Sequence, residues 1–505
     1  MSFPHVAAVA ALAALAAAGF LGPDRHDSGR TWRGLQFGTR RPPPPPPGRR
    51  VLPHSGPARW ARARDVRGLT VADDLGCTGE RGGSRGRLVI GRAGRRLLAA
   101  ERGQSLIVFG PTQSLKTSGL AVPAILRWDG PVLATSVKTD LIEHTMGHRC
   151  ARGTVAVYDP TAATGLGTAS WSPLSASRTW PGARRAAAAL TDVAKSSSGS
   201  MTDGDFWYAT AARVLAPLLF AAAVGRCGMD DVLRWVATGE EGEVLELLDR
   251  GGIPEAVDVA RSSFGKEDRT RSSIMTTIET MLEPFASLRY DGAAAPINPA
   301  NLIGGSHTLY LCAPAHDQRR LTPLFASVVR EVLEAVYDRV ARSGKPLDPP
   351  LLVVLDEAAN IAPLPDLDAL ASTAAGHGIQ LVTVWHDLAQ LTARYGQRAT
   401  TVVNNHRAKL FLSGISDPST LDYASHLIGE GEVAVGSTTT GGSGGPSTTR
   451  SISVRRLAPP DALRRIVPGE GVLVYRELPP ARVRLRTYLD DPRLAERATA
   501  GCVTP

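Results

Sequence analysis

The stretch VFGPTQSLKTSGLAVPAIL, Val108–Leu126, decides the fold. An apolar run ends at Gly110, a short polar loop leads to Lys116 and Thr117, and a helical pattern follows. The common phosphate-binding loop reads G-x-x-x-x-G-K-[ST], and here Leu115 stands where that pattern has its second glycine. A strand, a turn and a helix in this order aim backbone N–H groups and a helix N-terminus at bound phosphate. The candidate nucleotide-binding residues are therefore Gly110, Pro111, Thr112, Gln113, Ser114, Leu115, Lys116, Thr117 and Ser118. Lys116 reaches for the β- and γ-phosphates of ATP, and the Thr117 hydroxyl suits Mg²⁺. Leu115 costs about 1–2 kcal/mol if the loop needs a positive φ there, and little if it does not.

The spacing alone arises often by chance, so a second element matters. LLVVLDEAAN, residues 351–360, is an apolar strand ending in two acids. Asp356 is placed to hold the Mg²⁺ shell and Glu357 to polarise an attacking water as the catalytic acid–base group. Ligands of open α/β sheets bind at the carboxyl ends of strands, where these acids lie. The rival reading is a cap opening the next helix. A third strand, within GIQLVTVWHDLAQL (residues 378–391), ends at His386, a candidate γ-phosphate sensor or a strand-end histidine with local bonds.

Outward from these motifs, the strand-like runs SLIVFG, PVLATSV, TVAVYDP, HTLYLCAP, PLLVVLDE, QLVTVWH and KLFLSG alternate with helical segments from about Gly86. Continuous apolar runs of this length suit a parallel sheet buried on both faces, joined by βαβ connections. The expected fold is α/β, a mainly parallel central sheet. Residues 180–301 interrupt the alternation with helical patterns and read as an inserted all-α domain. The expected organisation is an anchor (1–22), a basic Pro-rich linker (23–85), the first part of the nucleotide-binding domain (86–179), the helical insert, the second part (302–492) and a tail (493–505). The run GSTTTGGSGGPSTTRS, residues 436–451, reads as a flexible loop.

The 505 residues carry a formal charge of +9, mostly from arginine, with 43% hydrophobic and 21% charged residues. That favours anionic partners, although an Ala/Arg/Gly/Pro-rich composition writes arginine for lysine anyway, so charge alone decides nothing. Five scattered cysteines without a C-x-x-C pair argue against a disulfide framework and structural zinc, and fit a reducing, cytosolic body. Val6–Leu21 is uncharged and Ala-rich, spanning about 24 Å as a helix. A membrane anchor, a secretory signal and an Ala-rich packed helix compete for it. The arginines that follow, from Arg25 to Arg50, place that flank on the cytoplasmic side of a membrane.

The ordered set GPTQSLKTSG, ATSVKTDL, VYDP, WSPL, DFWYATAARVLAPLLFAAA, LLVVLDEAAN, GIQLVTVWHDLAQL, NNHRAKLFLSGISD and LRRIVPGEGVLVY resembles the type IV secretion and conjugation coupling proteins, the TraG/TraD family, over roughly residues 86–490. The resemblance implies a RecA-like P-loop ATPase of the bacterial inner membrane, its ATPase body cytoplasmic, assembled as a homo-hexameric ring. Such rings move single-stranded DNA with its relaxase, or protein substrates, into the channel components of a secretion system. It implies that Lys116 and Thr117 bind phosphate and Mg²⁺, that Asp356 is the metal-coordinating acid and that Glu357 is catalytic. Two departures sit at the nucleotide: Leu115, and His386 where the family has glutamine. The family's arginine serving a neighbouring subunit, near Ala375, is absent, and Arg407 or Arg271 are candidates to replace it. The family has two membrane helices where this chain offers one segment. Trp171, Trp207 and Trp235 are offered to stacked bases or to the core. A docking receptor with a degenerate nucleotide site and an FtsK-type DNA pump are the rival functions.

Overall fold

Six apolar segments pair side by side because each is buried on both faces. Leu106–Phe109, Val132–Ser136, Thr308–Cys312, Leu351–Leu355, Ile379–Trp385 and Ala408–Leu412 are buried at every position. The computed structural model describes residues 57–73, 84–162, 164–197, 204–286, 288, 294–439 and 447–501. The expected anchor at residues 1–22 and most of the Pro-rich linker lie outside them.

Among the described residues, one sheet has twelve strands. From one edge they run Thr70–Val71, Arg96–Ala99, Val89–Ala93, Ala481–Arg484, Glu470–Tyr475, Ala408–Leu412, Leu106–Phe109, Ile379–Trp385, Leu351–Leu355, Val132–Ser136, Thr308–Cys312 and Val155–Tyr158. The last seven are mutually parallel, and the first five extend the sheet in antiparallel fashion. Alternate residues of each central strand point to opposite faces. Ile107, Phe109, Val353 and Leu355 therefore join one core, and Leu106, Val108, Leu352 and Val354 the other.

The first core continues without a break into a block of helices: Trp180–Ser197, Gly204–Gly225, Met229–Thr238, Gly242–Gly251, Pro254–Phe264 and Asp268–Ala286. Gly204–Gly225 is long and apolar enough to cross a membrane. It is instead the central helix of this block, with Val214 to Ala222 buried against its neighbours. Trp171 and Trp235 are buried, and Trp207 packs against the same core. Bases cannot stack on the first two without unfolding.

Four sequence expectations need correction. The linker ends earlier than residue 85: Val66 and Leu69 are buried and Thr70–Val71 forms the edge strand, because this short apolar run can cover an otherwise bare sheet edge. The tail is not a loose end: Pro492–Ala498 is a helix capped by the Asp491 side chain, with Leu494 fully buried. The run 436–451 is mostly strand. Glu430–Thr439 pairs with Ser447–Arg456 as an antiparallel ribbon, and only 440–446 lie outside the described residues. Its Gly and Ser residues suggested a coil, but the threonines and β-branched apolar residues around them favour extended pairing. Finally, Cys150 is disulfide-bonded, whereas Cys227 and Cys312 are free; a lone pairing leaves no spacing signal.

His406 makes stability pH-dependent. It is fully buried, its ring bonded to the Val402 carbonyl (2.7 Å) and the Thr383 hydroxyl (3.2 Å), and burial pushes its pKa down to about 4. The unfolded chain takes up that proton from about pH 6.5, so stability is lost as pH falls from there towards 4. The expected loss from this group is about 2 kcal/mol at pH 5 relative to pH 7.5. Denaturation midpoints at the two pH values check it, and His406→Asn should flatten the difference.

Candidate active site at the carboxyl ends of the central strands

The loop from Gly110 to Lys116 leaves the strand Leu106–Phe109 at its carboxyl end. Its first amide, Gly110 N–H, donates to the Trp385 carbonyl on the neighbouring strand (3.0 Å). A Cβ at Gly110 would lie 2.6 Å from the Ser114 hydroxyl, so glycine is required there. That hydroxyl closes the loop by donating to the Pro111 carbonyl (2.8 Å). The loop then turns into the helix running from Thr117 to Arg127.

Leu115 adopts φ = 63°, the left-handed conformation that glycine adopts freely. The loop therefore has the backbone shape of the glycine-containing pattern despite the substitution. The strain is about 1–2 kcal/mol. It is offset by burial: the leucine packs on the second core, beside Gly469, where an added Cβ would touch Leu115 Cδ1 at 3.5 Å. Since the shape is already adopted, Leu115→Gly is expected to change nucleotide turnover by less than about threefold, strain relief and lost contact being of similar size. Steady-state turnover of the variant checks this, and a gain above tenfold would show the leucine to be a handicap.

Lys116 is buried, its Nζ donating to the Gly110 (2.7 Å) and Pro111 (3.0 Å) carbonyls. Burial lowers its pKa, while Asp356 and Glu357 pull the other way. Thr117 Oγ1 donates to Asp356 Oδ2 at 2.9 Å, which joins the loop to the second motif. The strand of Asp356 lies two places from that of the loop, with Ile379–Trp385 between them. Asp356 is buried, and burial pushes its pKa up to about 6, against the Thr117 bond and the Lys116 charge. An almost dry carboxylate facing a hydroxyl and an ammonium is a group that gains from a cation. The donor set, one hydroxyl and one carboxylate beside a phosphate loop, is the oxygen chemistry Mg²⁺ takes.

Glu357 also has a positive φ, 55°. Among the described residues, its carboxylate accepts only a 3.3 Å bond from Asn360 Nδ2, leaving it open to the cleft. His386 follows the strand Ile379–Trp385; its amide donates to Gln390 Oε1 (3.0 Å), and Asp387 caps the next helix through the Gln390 amide (2.7 Å). Burial, and then Lys116, lower the His386 pKa, so its ring is neutral at pH 7. The two arginine candidates are elsewhere. Arg407 precedes Ala408, which pairs with Leu106, so it lies at the sheet end opposite the loop. Arg271 is tied to the Phe264 carbonyl (2.9 Å) and Asp268 (2.8 Å) in the helical block.

Thr112, Gln113, Leu115, Lys116, Thr117 and Ser118 thus share one cleft of about 340 Å³ with Asp356 and Glu357. Its remaining wall is Ser136, Val137, Lys138 and Asp140, from the turn after Val132–Ser136, which the sequence reading did not assign. The strand PVLATSV was legible, but that its end abuts Asp356 depends on strand order. Thr135 Oγ1 secures that neighbour by donating to the Asp356 carbonyl (3.1 Å).

Known proteins are similar to this chain. The model of the type IV secretory system conjugative DNA transfer family matches residues 80–503. The conjugal transfer protein TraG of Rhizobium radiobacter is 25% identical over 406 residues, 74% of this chain and 60% of its own length. The protein VirD4 of the same organism is 24% identical over 441 residues, 82% of this chain and 61% of its own. The chain thus spans about 60% of the length of these curated relatives. Among solved structures, the bacterial conjugative coupling protein TrwBdeltaN70 in its unbound form aligns with a TM-score of 0.64 at 17% identity, over 86% of this chain and 95% of that one. The plasmid coupling protein TrwB in complex with ADP and Mg²⁺ aligns with a TM-score of 0.63 at 16% identity. The fold is the RecA-like α/β fold of these coupling proteins.

Proposed function

The chain belongs to the type IV secretory system conjugative DNA transfer family, and from that premise we propose that it is an ATP-hydrolysing coupling protein. It recruits single-stranded DNA with its relaxase, or a protein substrate, and drives it into a type IV secretion channel. The observation that carries the reading is the pairing of Thr117 with Asp356 at 2.9 Å beside Lys116 and Glu357. All four chemistry-bearing groups of a P-loop NTPase meet in one cleft.

The loop amides and Lys116 bind the phosphate chain, Lys116 exchanging its two loop carbonyls for phosphate oxygens. Thr117 and Asp356 would hold Mg²⁺, which when bound neutralises charge on the β- and γ-phosphates. Glu357 orients the attacking water and takes its proton. His386, neutral and at the end of the intervening strand, serves as the γ-phosphate sensor. The arginine from a neighbouring subunit has no assigned residue: Arg271 is held by local bonds, and Arg407 lies at the end of the sheet opposite the loop. A homo-hexameric ring at the bacterial inner membrane, its body cytoplasmic, is the assembly in which these steps move cargo; membership of the conjugative DNA transfer family and the apolar, Arg-flanked residues 6–21 support it.

This reading predicts hydrolysis that single-stranded DNA accelerates. Nucleotide binding without hydrolysis would leave the docking receptor instead.

A further inference from the structure

We propose that Lys138 is a second cation for the bound nucleotide, contacting its terminal phosphate and so distinguishing a triphosphate from a diphosphate. The proposal rests on the nucleotide-site reading above and adds a residue that neither the loop nor the acid motif contains. Lys138 lies on the turn after the strand Val132–Ser136, and this strand pairs directly with Leu351–Leu355, Thr135 opposite Leu355. The turn therefore stands beside Asp356 and Glu357, on the side away from the phosphate loop. A phosphate chain that starts on Lys116 and Thr117 and extends past these acids ends facing this turn.

The turn is a fixed support. The Ser136 hydroxyl donates to the Lys138 carbonyl, and Asp140 accepts from the Leu141 amide (2.8 Å) at the start of the helix Asp140–Glu143. The side chain of Lys138 is exposed and lines the cleft. Among the described residues it makes no ion pair, although Asp140, Asp356 and Glu357 line the same cleft. An ammonium left open there remains available to a ligand.

The electrostatics of the cleft call for such a group. Its walls carry Asp140, Asp356 and Glu357 against Lys116. A magnesium nucleotide is still a net anion, and three carboxylates beside one ammonium leave the cleft acidic, so a further cation near the terminal phosphate favours its binding. Among the described residues lining the cleft, Lys138 is the only other cation.

Equilibrium binding of Mg–ADP and of a non-hydrolysable ATP analogue to the full-length protein, Lys138→Ala and Lys138→Arg tests this. Lys138→Ala is expected to weaken the triphosphate about tenfold, one charge-assisted contact, and ADP by less than twofold. Lys138→Arg should recover most of the loss. Because Lys138 is exposed, the variants fold, and retained ADP affinity verifies it. Equal losses for both nucleotides, or none, overturn this proposal alone. Wild-type protein that binds neither nucleotide overturns the nucleotide-site reading and this proposal with it.

Discussion

Glu357→Gln is expected to slow ATP turnover by about 10²-fold or more while Mg–ATP affinity stays within about twofold. The substitution keeps the size of the side chain and removes only its ability to take a proton. Glu357 makes one weak bond within the protein, to Asn360, and holds a left-handed backbone that costs about 1–2 kcal/mol. A strained, underused carboxylate open to the cleft fits the proposed role in chemistry better than a role in folding. The same variant should melt no lower than the wild type. Turnover and transfer unchanged by Glu357→Gln would show that the motor reading is wrong.

The largest expected effect on stability comes from a residue far from that chemistry. Arg149 is completely buried, and among the described residues it forms no ion pair with a carboxylate. Its Nε donates to Thr308 Oγ1 (2.7 Å), and its terminal nitrogens donate to the carbonyls of Trp128 (2.7 Å), Gly130 (2.8 Å) and Ser306 (2.9 Å). One guanidinium thus fastens the amino ends of the adjacent strands Val132–Ser136 and Thr308–Cys312, and burial lowers its pKa to about 10. Arg149→Ala strands these acceptors around a void and should cost about 4 kcal/mol. Arg149→Lys should recover less than half, since an ammonium cannot span the fork. Chemical denaturation measures both. A loss below about 1 kcal/mol would mean that water replaces the guanidinium without penalty.

How much of this was legible in the chain follows from where each signal resides. The central strands and the Lys116–Thr117 and Asp356–Glu357 pairs are local: each lies in a contiguous run whose burial on both faces requires unbroken apolar residues. The order of the strands is not local, so the wall from Ser136 to Asp140 escaped the sequence reading. Whether Leu115 harms the loop turned on one dihedral angle, which only the folded chain supplies. The flanks 436–439 and 447–451 of the ribbon were misread because glycine and serine composition outweighed the threonines that pair there. Arg149 looked like one arginine among many. An arginine acting on a neighbouring subunit is legible in neither, because its place is set by the packing of subunits and not by the fold of one chain.

In the proposed function the cleft hydrolyses ATP in the service of DNA movement. The most direct measurement is the rate of magnesium-dependent ATP hydrolysis by the full-length protein as single-stranded DNA is titrated in, with Glu357→Gln as background. The expected result is turnover well above that background, rising severalfold and saturating with DNA. Turnover indistinguishable from Glu357→Gln at every DNA concentration, in protein that still binds Mg–ATP, would contradict it.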